Sequence, residues 1–398
     1  MKLSYPSYNQ NTLKKVQQVL KSGRVNYWTG NECKEFEKEF SKYIGNKYAI
    51  TLSNGSVALE LALKALRLKE GDEIIVSPRS FIISASCVFS LGLKPIFADV
   101  DYNGNLSIQG IKNAYNKKVK AVIVVHLNGL ACDMDPILKF VKKNKILLIE
   151  DCSQAHGAIY KGKKVGSFGD ISTWSFCQDK IISTGGEGGM ISTNNKRLWL
   201  KLWSLKDHGK NYKSVYFKNH KTGFKWLHDE IGSNYRMTEI QAVIGREQLK
   251  SLDKQIKKRN LIAKLYINGL EDYYIKYKIF KKPNFKYQTY LSKKNNHNVH
   301  AFYRLNLFIN KNKNKNKIIQ NKLIQQFNKY KINCGVGACP EIYREKIFKK
   351  LKLHPKKRLI NAKLLGETSI MFPINPNASI KKVKIEINSI KKVLNNYI

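Results

Sequence analysis

The chain has 398 residues, 42% hydrophobic and 11% aromatic, which excludes a disordered chain and allows one large domain plus a smaller one. Lys and Arg number 72 against 29 Asp and Glu, a formal charge of +43. The excess is mostly Lys and travels with Asn and Ile, residues that share A/T-rich codons, so base composition explains it without a nucleic-acid partner.

In chain order, SVALELALKALRL (Ser56–Leu68) is apolar on nearly every face and reads as a buried helix. DEIIVS (Asp72–Ser77) reads as a strand, FIISASCVFSLG as a helix and KPIFADV (Lys94–Val100) as a strand. VKAVIVVHL (Val119–Leu127) and KILLIED (Lys145–Asp151) are further strands. DMDPILKFVKKN between them is helical, with Asp133 or Asp135 near its start and Pro136 at an early position. ISTWSF supplies another apolar strand. This alternation predicts an α/β fold with a mostly parallel sheet covered by helices on both faces. After about residue 255 the chain turns Lys- and Tyr-rich and ends in a helical pattern, SIKKVKIEINSIKKVL. A large domain over 1–255 and a smaller C-terminal α/β domain over 256–398 are therefore expected. NKNKNKNK (Asn310–Lys317) reads as a solvated loop or strand extension.

The uncharged run FIISASCVFSLGL is too short and serine-rich to span a bilayer, and MKLSYPSYNQ lacks the apolar core of a signal peptide. A cytoplasmic protein is expected, with no membrane partner. A nucleic-acid-binding role would rest on charge alone, since no helix-turn-helix, RNP or zinc-finger pattern stands out. The 7 cysteines show no C-x-x-C pair, and Cys334 and Cys339 lack histidines at zinc-finger spacing. They read as free thiols, mostly small buried hydrophobes, and no metal site is expected.

Ligands of such sheets sit beyond the carboxyl ends of the strands, and chemistry-bearing residues gather there. In TLSNGSVALELAL a strand opens directly into a helix. Ser53 or Asn54 can cap it, leaving free N–H groups around Gly55 and Ser56 for an anion. Asp151 ends an apolar strand, where a buried carboxylate needs a cationic or hydrogen-bonding partner, and Gln154 and His156 follow. Ser175 and Lys180 lie past the strand ISTWSF, before glycines that let backbone approach closely. The P-loop pattern is absent. A phosphate cradle, an acid at one strand end and a lysine at another make a minimal pyridoxal phosphate (PLP) site. The lysine bonds the cofactor aldehyde, and the acid keeps the pyridine nitrogen protonated.

The chain resembles the DegT/DnrJ/EryC1/StrS family of PLP-dependent sugar aminotransferases. The likeness lies in GRVNYWTGNECKEFEKEFSKYIGNKYAITLSNGSVALELALKAL, GDEIIVSPRSFIISASCVFSLGLKPIFADVD and VVHLNGLACDMDPI. It continues in EDCSQAHGAIYKGKKVGSFGDISTWSFCQDKIISTGGEGGMI and NYRMTEIQAVIGREQL, in the family's order. It implies the type I PLP-dependent aminotransferase fold, a homodimer with shared active sites, L-glutamate as donor and a nucleotide-linked keto-sugar as acceptor. By position, Lys180 matches the cofactor lysine, Asp151 the residue facing the pyridine nitrogen and Gln154 the one near the ring hydroxyl. Gly55, Ser56 and Ser175 match phosphate contacts, and Phe81 matches the aromatic residue stacked on the ring. Asn234 matches the residue reaching the phosphate of the partner subunit's cofactor. Asn54-Gly55-Ser56 replaces the family's common Ser-Gly-Thr, and Asp151-Cys152-Ser153-Gln154 its Asp-Ala-Ala-Gln; donors or small side chains are kept. Trp28, Thr29 and the KDHGKNYKSVY segment with His208 are candidates for the sugar side, as is GACPEIY (Gly337–Tyr343). Family dehydratases carry histidine in place of the lysine, so Lys180 favours transamination over dehydration; a non-catalytic regulatory relative, which would bind PLP without turnover, is a further alternative.

Overall fold

The computed structural model describes residues 5–283, 298–311 and 318–398. Most of NKNKNKNK, from 312 onward, lies outside the described residues. Its strands are β1 (Tyr48–Leu52), β2 (Glu73–Val76), β3 (Lys94–Phe97), β4 (Val119–Val125), β5 (Leu147–Asp151), β6 (Ile159–Tyr160), β7 (Lys163–Lys164), β8 (Ile171–Ser175), β9 (Gly189–Thr193), β10 (Arg304–Phe308) and β11 (Ser369–Pro373).

Seven of them form one sheet in the order β1-β9-β8-β5-β4-β2-β3. Every neighbouring pair from β3 across to β8 is parallel, while β9 is antiparallel to both β8 and β1. The sheet is thus parallel apart from one reversed strand. Its strands are continuous apolar runs because both faces are covered: β2 is buried throughout and β4 everywhere except Lys120. The register pairs Val125 with Asp151 and Asp151 with Thr173, so the acid stands at the carboxyl edge between two neighbours.

The helix Gly55–Ala65 covers one face. Its Leu59, Leu61 and Leu63 are buried, each contributing roughly 2 kcal/mol, and it packs against β8, β9 and the helices Ile83–Ser90 and Lys196–Lys206. The other face holds Phe36, Phe40, Trp174 and Phe176, with ring centroids 5.1–5.8 Å apart. The helix Glu239–Gly269, 31 residues long, runs unbroken through residue 255. Leu252 and Ile256 on it join the core beneath the sheet, whereas Ile262, Ala263 and Tyr266 join a separate cluster with β10, β11 and the helix Ile380–Asn395. The helix starts sharply because Thr238 and Gln241 form a reciprocal capping box. Among the described residues no helix is long and apolar enough to cross a membrane. All 7 cysteines are free, and Cys33, Cys87, Cys132 and Cys152 are buried.

Candidate active site

A cavity of about 650 Å³ opens at the carboxyl ends of β5 and β8. Gly55, Ser56, Phe81, Asp151, Gln154, Ser175 and Lys180 all line it, which brings together residues spread over more than a hundred positions.

The helix start is built locally. Asn54 has extended backbone and its side chain accepts from Val57 N at 3.0 Å. Gly55 and Ser56 then lack intrahelical acceptors for their N–H groups and stand at the cavity wall. A Cβ on Gly55 would come within 2.5 Å of Ser175 Cβ and 3.0 Å of its Oγ, so only glycine lets the Ser175 hydroxyl sit beside the helix start. Together these groups form a small concave cradle of donors suited to a phosphate.

Asp151 is buried, and its Oδ1 accepts from Ser153 N at 3.0 Å. Burial pushes its carboxyl above the usual range, opposed by the Ser153 bonds, by His126 beside it and by the charge of Lys180. Such an acid is stabilised in its charged form by a further cation, which a protonated pyridine nitrogen would supply. Gln154 Oε1 accepts from Asn128 N at 2.9 Å. The amide oxygen is thereby turned to the backbone, leaving the NH₂ as the group available to a ring oxygen. Asn128 offers its N–H from a left-handed backbone, φ 58°. Phe81 is 67% exposed, an apolar face left open to a planar ring.

Beneath the acid lies a buried node. His126 Nδ1 accepts from Cys132 N at 3.0 Å, so its Nε2 carries the proton and donates to Glu150 Oε2 at 3.0 Å. Glu150 also accepts from the N–H groups of Gly166, Phe168 and Gly169 at 2.6–2.8 Å. His126, Glu150 and Cys152 place ligand-type atoms within 4.8 Å of one another, but these hydrogen bonds occupy the histidine and the carboxylate. The node stiffens the end of β5. His156 is fully buried against Trp174 and Phe176 at 5.3 and 5.6 Å. Its ring nitrogens are buried, with the backbone of Ser175 beside them. Burial, reinforced by the charges of Lys180 and Arg259, pushes its pKa down to about 3; it is a packed neutral ring.

Lys180 Nζ donates to Asp179 Oδ1 at 2.7 Å and lies 5.5 Å from the Tyr303 ring centroid. The glycines after it turn the chain back: Gly185 and Gly186 have φ of 90° and 133°, conformations open to glycine. Asp179, Tyr303 and Arg304 also line the cavity and are absent from the residues inferred from sequence. Tyr303 and Arg304 reach it only through β10, a non-local packing that no local motif announces. Gly337, Ala338 and Cys339 of GACPEIY form part of the wall.

Asn234 does not line this cavity. It is exposed, with its backbone bridged to Asp207. Trp28, Thr29 and His208 also lie outside it. Thr29 and His208 are exposed, while Trp28 meets the KDHGKNYKSVY segment: Lys210 Nζ stands 4.3 Å over its ring and Tyr216 stacks on it at 6.4 Å. Lys206 nearby is fully buried over the Tyr27 ring at 3.4 Å. Arg236 Nη1 and Lys210 Nζ donate to buried Asp207 at 2.7 and 3.1 Å.

The cradle, the buried acid and the lysine around one cavity fit PLP and define a PLP-dependent enzyme of the aminotransferase class. The model of the DegT/DnrJ/EryC1/StrS aminotransferase family matches residues 6–391. A GDP-perosamine synthase from Escherichia coli O157:H7 is 43% identical over 245 residues, 61% of this chain and 64% of that protein. The crystal structure of an aminotransferase from Psychrobacter cryohalolentis superposes with a TM-score of 0.94 at 42% identity, covering 98% of each chain. An E. coli GDP-4-keto-6-deoxy-D-mannose-3-dehydratase with bound hydrated PLP gives a TM-score of 0.83 at 27% identity over 98% of both chains. The chain belongs to the DegT/DnrJ/EryC1/StrS aminotransferase family; it is a PLP-dependent sugar aminotransferase.

Proposed function

We propose that the protein moves an amino group from L-glutamate to a nucleotide-linked keto-sugar, making an amino sugar for a surface polysaccharide. The observation that carries this is a lysine, Lys180, on the same cavity wall as the buried acid Asp151. The E. coli relative named for GDP-perosamine synthesis supports a nucleotide-sugar acceptor. Dehydratases share the scaffold, but the retained lysine favours transamination.

The bound cofactor supplies an electron sink for the carbanion formed at the amino-bearing carbon. Asp151 holds the ring nitrogen in its charged form. Gln154 offers an N–H to the ring oxygen, and Gly55, Ser56 and Ser175 hold the phosphate. Phe81 covers the ring. Lys180, once released as an amine, would serve as the base that takes the proton from the donor's amino-bearing carbon.

The protein works in the cytoplasm as a homodimer with shared sites. Support comes from the rim around Trp28, where Trp28 Nε1, Lys206 Nζ, Asp207 Oδ2 and Arg236 Nε are buried without hydrogen-bond partners among the described residues. Asn234, beside this rim, is the residue for the partner subunit's cofactor phosphate. The large part, 1–255, carries the cofactor, and the smaller part, 256–398, adds Tyr303, Arg304 and Gly337 to its wall.

The test is the absorption spectrum of PLP-loaded protein before and after L-glutamate, beside Lys180→Ala. The expected result is a yellow band that bleaches with glutamate in the parent protein and a lysine-bound band missing from the variant. A band untouched by glutamate and other amino donors would sink the transaminase reading. Nucleotide-linked keto-sugars are then screened for amination by mass spectrometry.

A further inference from the structure

The carboxylate of Asp179 is a meeting point of two parts of the chain. One oxygen accepts from Lys180 Nζ at 2.7 Å. The other accepts from the Tyr303 hydroxyl and from Arg304 Nη2, the latter at 3.3 Å. Arg304 Nη2 also donates to the Tyr303 oxygen at 2.9 Å. Side chains from β10 and the residue before it thus fix the orientation of a group adjacent to the reactive lysine.

We propose that Asp179 is a positioning residue for Lys180: its carboxylate receives the amine whenever that amine is not bonded to the cofactor, and Tyr303 and Arg304 hold the carboxylate in place to do so. The inference rests on Lys180 being the cofactor lysine.

A lysine amine on its four-carbon stem carries large rotamer freedom, so an unheld amine would sweep the cavity instead of waiting beside the reacting carbon. A charge-assisted bond removes that freedom. The other charged and titratable groups facing the amine are engaged elsewhere. Asp151 accepts from Ser153 N, Glu187 accepts from Cys177 Sγ at 3.5 Å, and His156 is packed among aromatic rings. Tyr303 and Arg304 point at Asp179 itself. The Asp179 side chain is 50% exposed, where a bare ion pair is weak; two further donors make it a network. Burial raises the Asp179 carboxyl, but the Lys180, Tyr303 and Arg304 groups outweigh this and hold it below the usual range. It stays ionised at neutral pH.

The test follows acetylation of Lys180 by mass spectrometry, in the full chain both free of cofactor and loaded with pyridoxamine phosphate, which has no aldehyde to bind the lysine. An amine held in a charge-assisted bond to a carboxylate is shielded from the reagent, so Asp179→Asn is expected to raise the labelling rate about tenfold. Asp179→Glu is expected to restore most of the protection, which a merely structural role would not do. A labelling rate for folded Asp179→Asn equal to the parent's overturns the proposal. If that variant does not fold, the Tyr303→Phe, Arg304→Gln double variant keeps the carboxylate and removes its anchors. It is then expected to raise labelling about threefold, and an unchanged rate overturns the proposal. The cofactor-free arm reads the same whether or not the protein turns over a sugar, so failure here is separable from failure of the proposed reaction.

Discussion

The cofactor end of the site and the rim around Trp28 are built on opposite plans. At the cofactor end, Asp179 and Gln154 find hydrogen-bond partners within this chain, and the Glu150–His126 node is filled by backbone N–H groups and by itself. At the rim, four buried polar atoms stand without hydrogen-bond partners among the described residues, and Phe217, Phe224 and Trp226 are exposed. The two plans separate tasks. Groups that set the chemistry are fixed before any ligand arrives, whereas at the rim Lys206 and Asp207 are held by Glu37, Arg236 and Lys210 while several of their neighbours' polar atoms have no hydrogen-bond partner among the described residues.

The sharpest way to break this contrast is at Asp151. Asp151→Asn keeps the shape and removes the charge opposite the ring nitrogen. The expected outcome is a fall in turnover of roughly a thousandfold with the fold intact, measured by steady-state kinetics and far-ultraviolet circular dichroism. A loss below tenfold would mean that this wall does not set the chemistry.

His156 tests whether the cofactor end is rigid because it is dry. Its pKa in the fold is pushed down to about 3 from an ordinary 6.5. The folded state holds the ring neutral, so the stability it contributes is complete above about pH 6.5 and lost as pH falls toward 3. At about pH 4.5 the loss from this one group is roughly 3 kcal/mol. Urea unfolding at pH 4.5 and 7.5 is expected to show a smaller acid penalty in His156→Phe than in the parent, by about that amount. Equal penalties would show that the ring is already hydrated.

Gly55→Ala drives a Cβ toward Ser175. It is expected to destabilise by about 2 kcal/mol and to weaken cofactor affinity about tenfold, read by thermal melting and by cofactor titration. The smallest effect belongs to the rim. Trp28→Phe removes the unpartnered indole N–H and keeps an aromatic ring. Cofactor binding is expected to be unchanged, with KM for the sugar shifted about threefold; a change in cofactor affinity instead would merge the two regions.

The cofactor end was legible in the sequence because its residues sit at the ends of local patterns. Asp151 closes an apolar run, Gly55 opens a helix and Lys180 precedes glycines, and each pattern carries its own physical reason. The parallel strands were legible for the same reason. The reversed strand β9 was not, since GMIST directly follows a glycine turn and its direction is decided by pairing with β8 and with β1, far away in the chain. Asp179, Tyr303 and Arg304 escaped because their meeting depends on how β10 packs over the large sheet. The helix 239–269 hid the change from one core to the next, because a continuous helix carries no break in pattern where its neighbours change.

The reversed strand has a mechanical consequence. Because β9 runs back along β8, the lysine sits on a hairpin whose rungs continue past the strands: Phe176 N donates to Gly188 O at 2.8 Å and Gln178 N to Gly186 O at 2.9 Å. The hairpin's base is clamped at Gly189, where a Cβ would fall 2.2 Å from Asn54 O. The loop therefore has no independent melting transition of its own to exploit; freeing it means unzipping the middle of the sheet. Amide exchange at buried Phe176 is accordingly expected to follow global unfolding, with exposed Gln178 exchanging sooner.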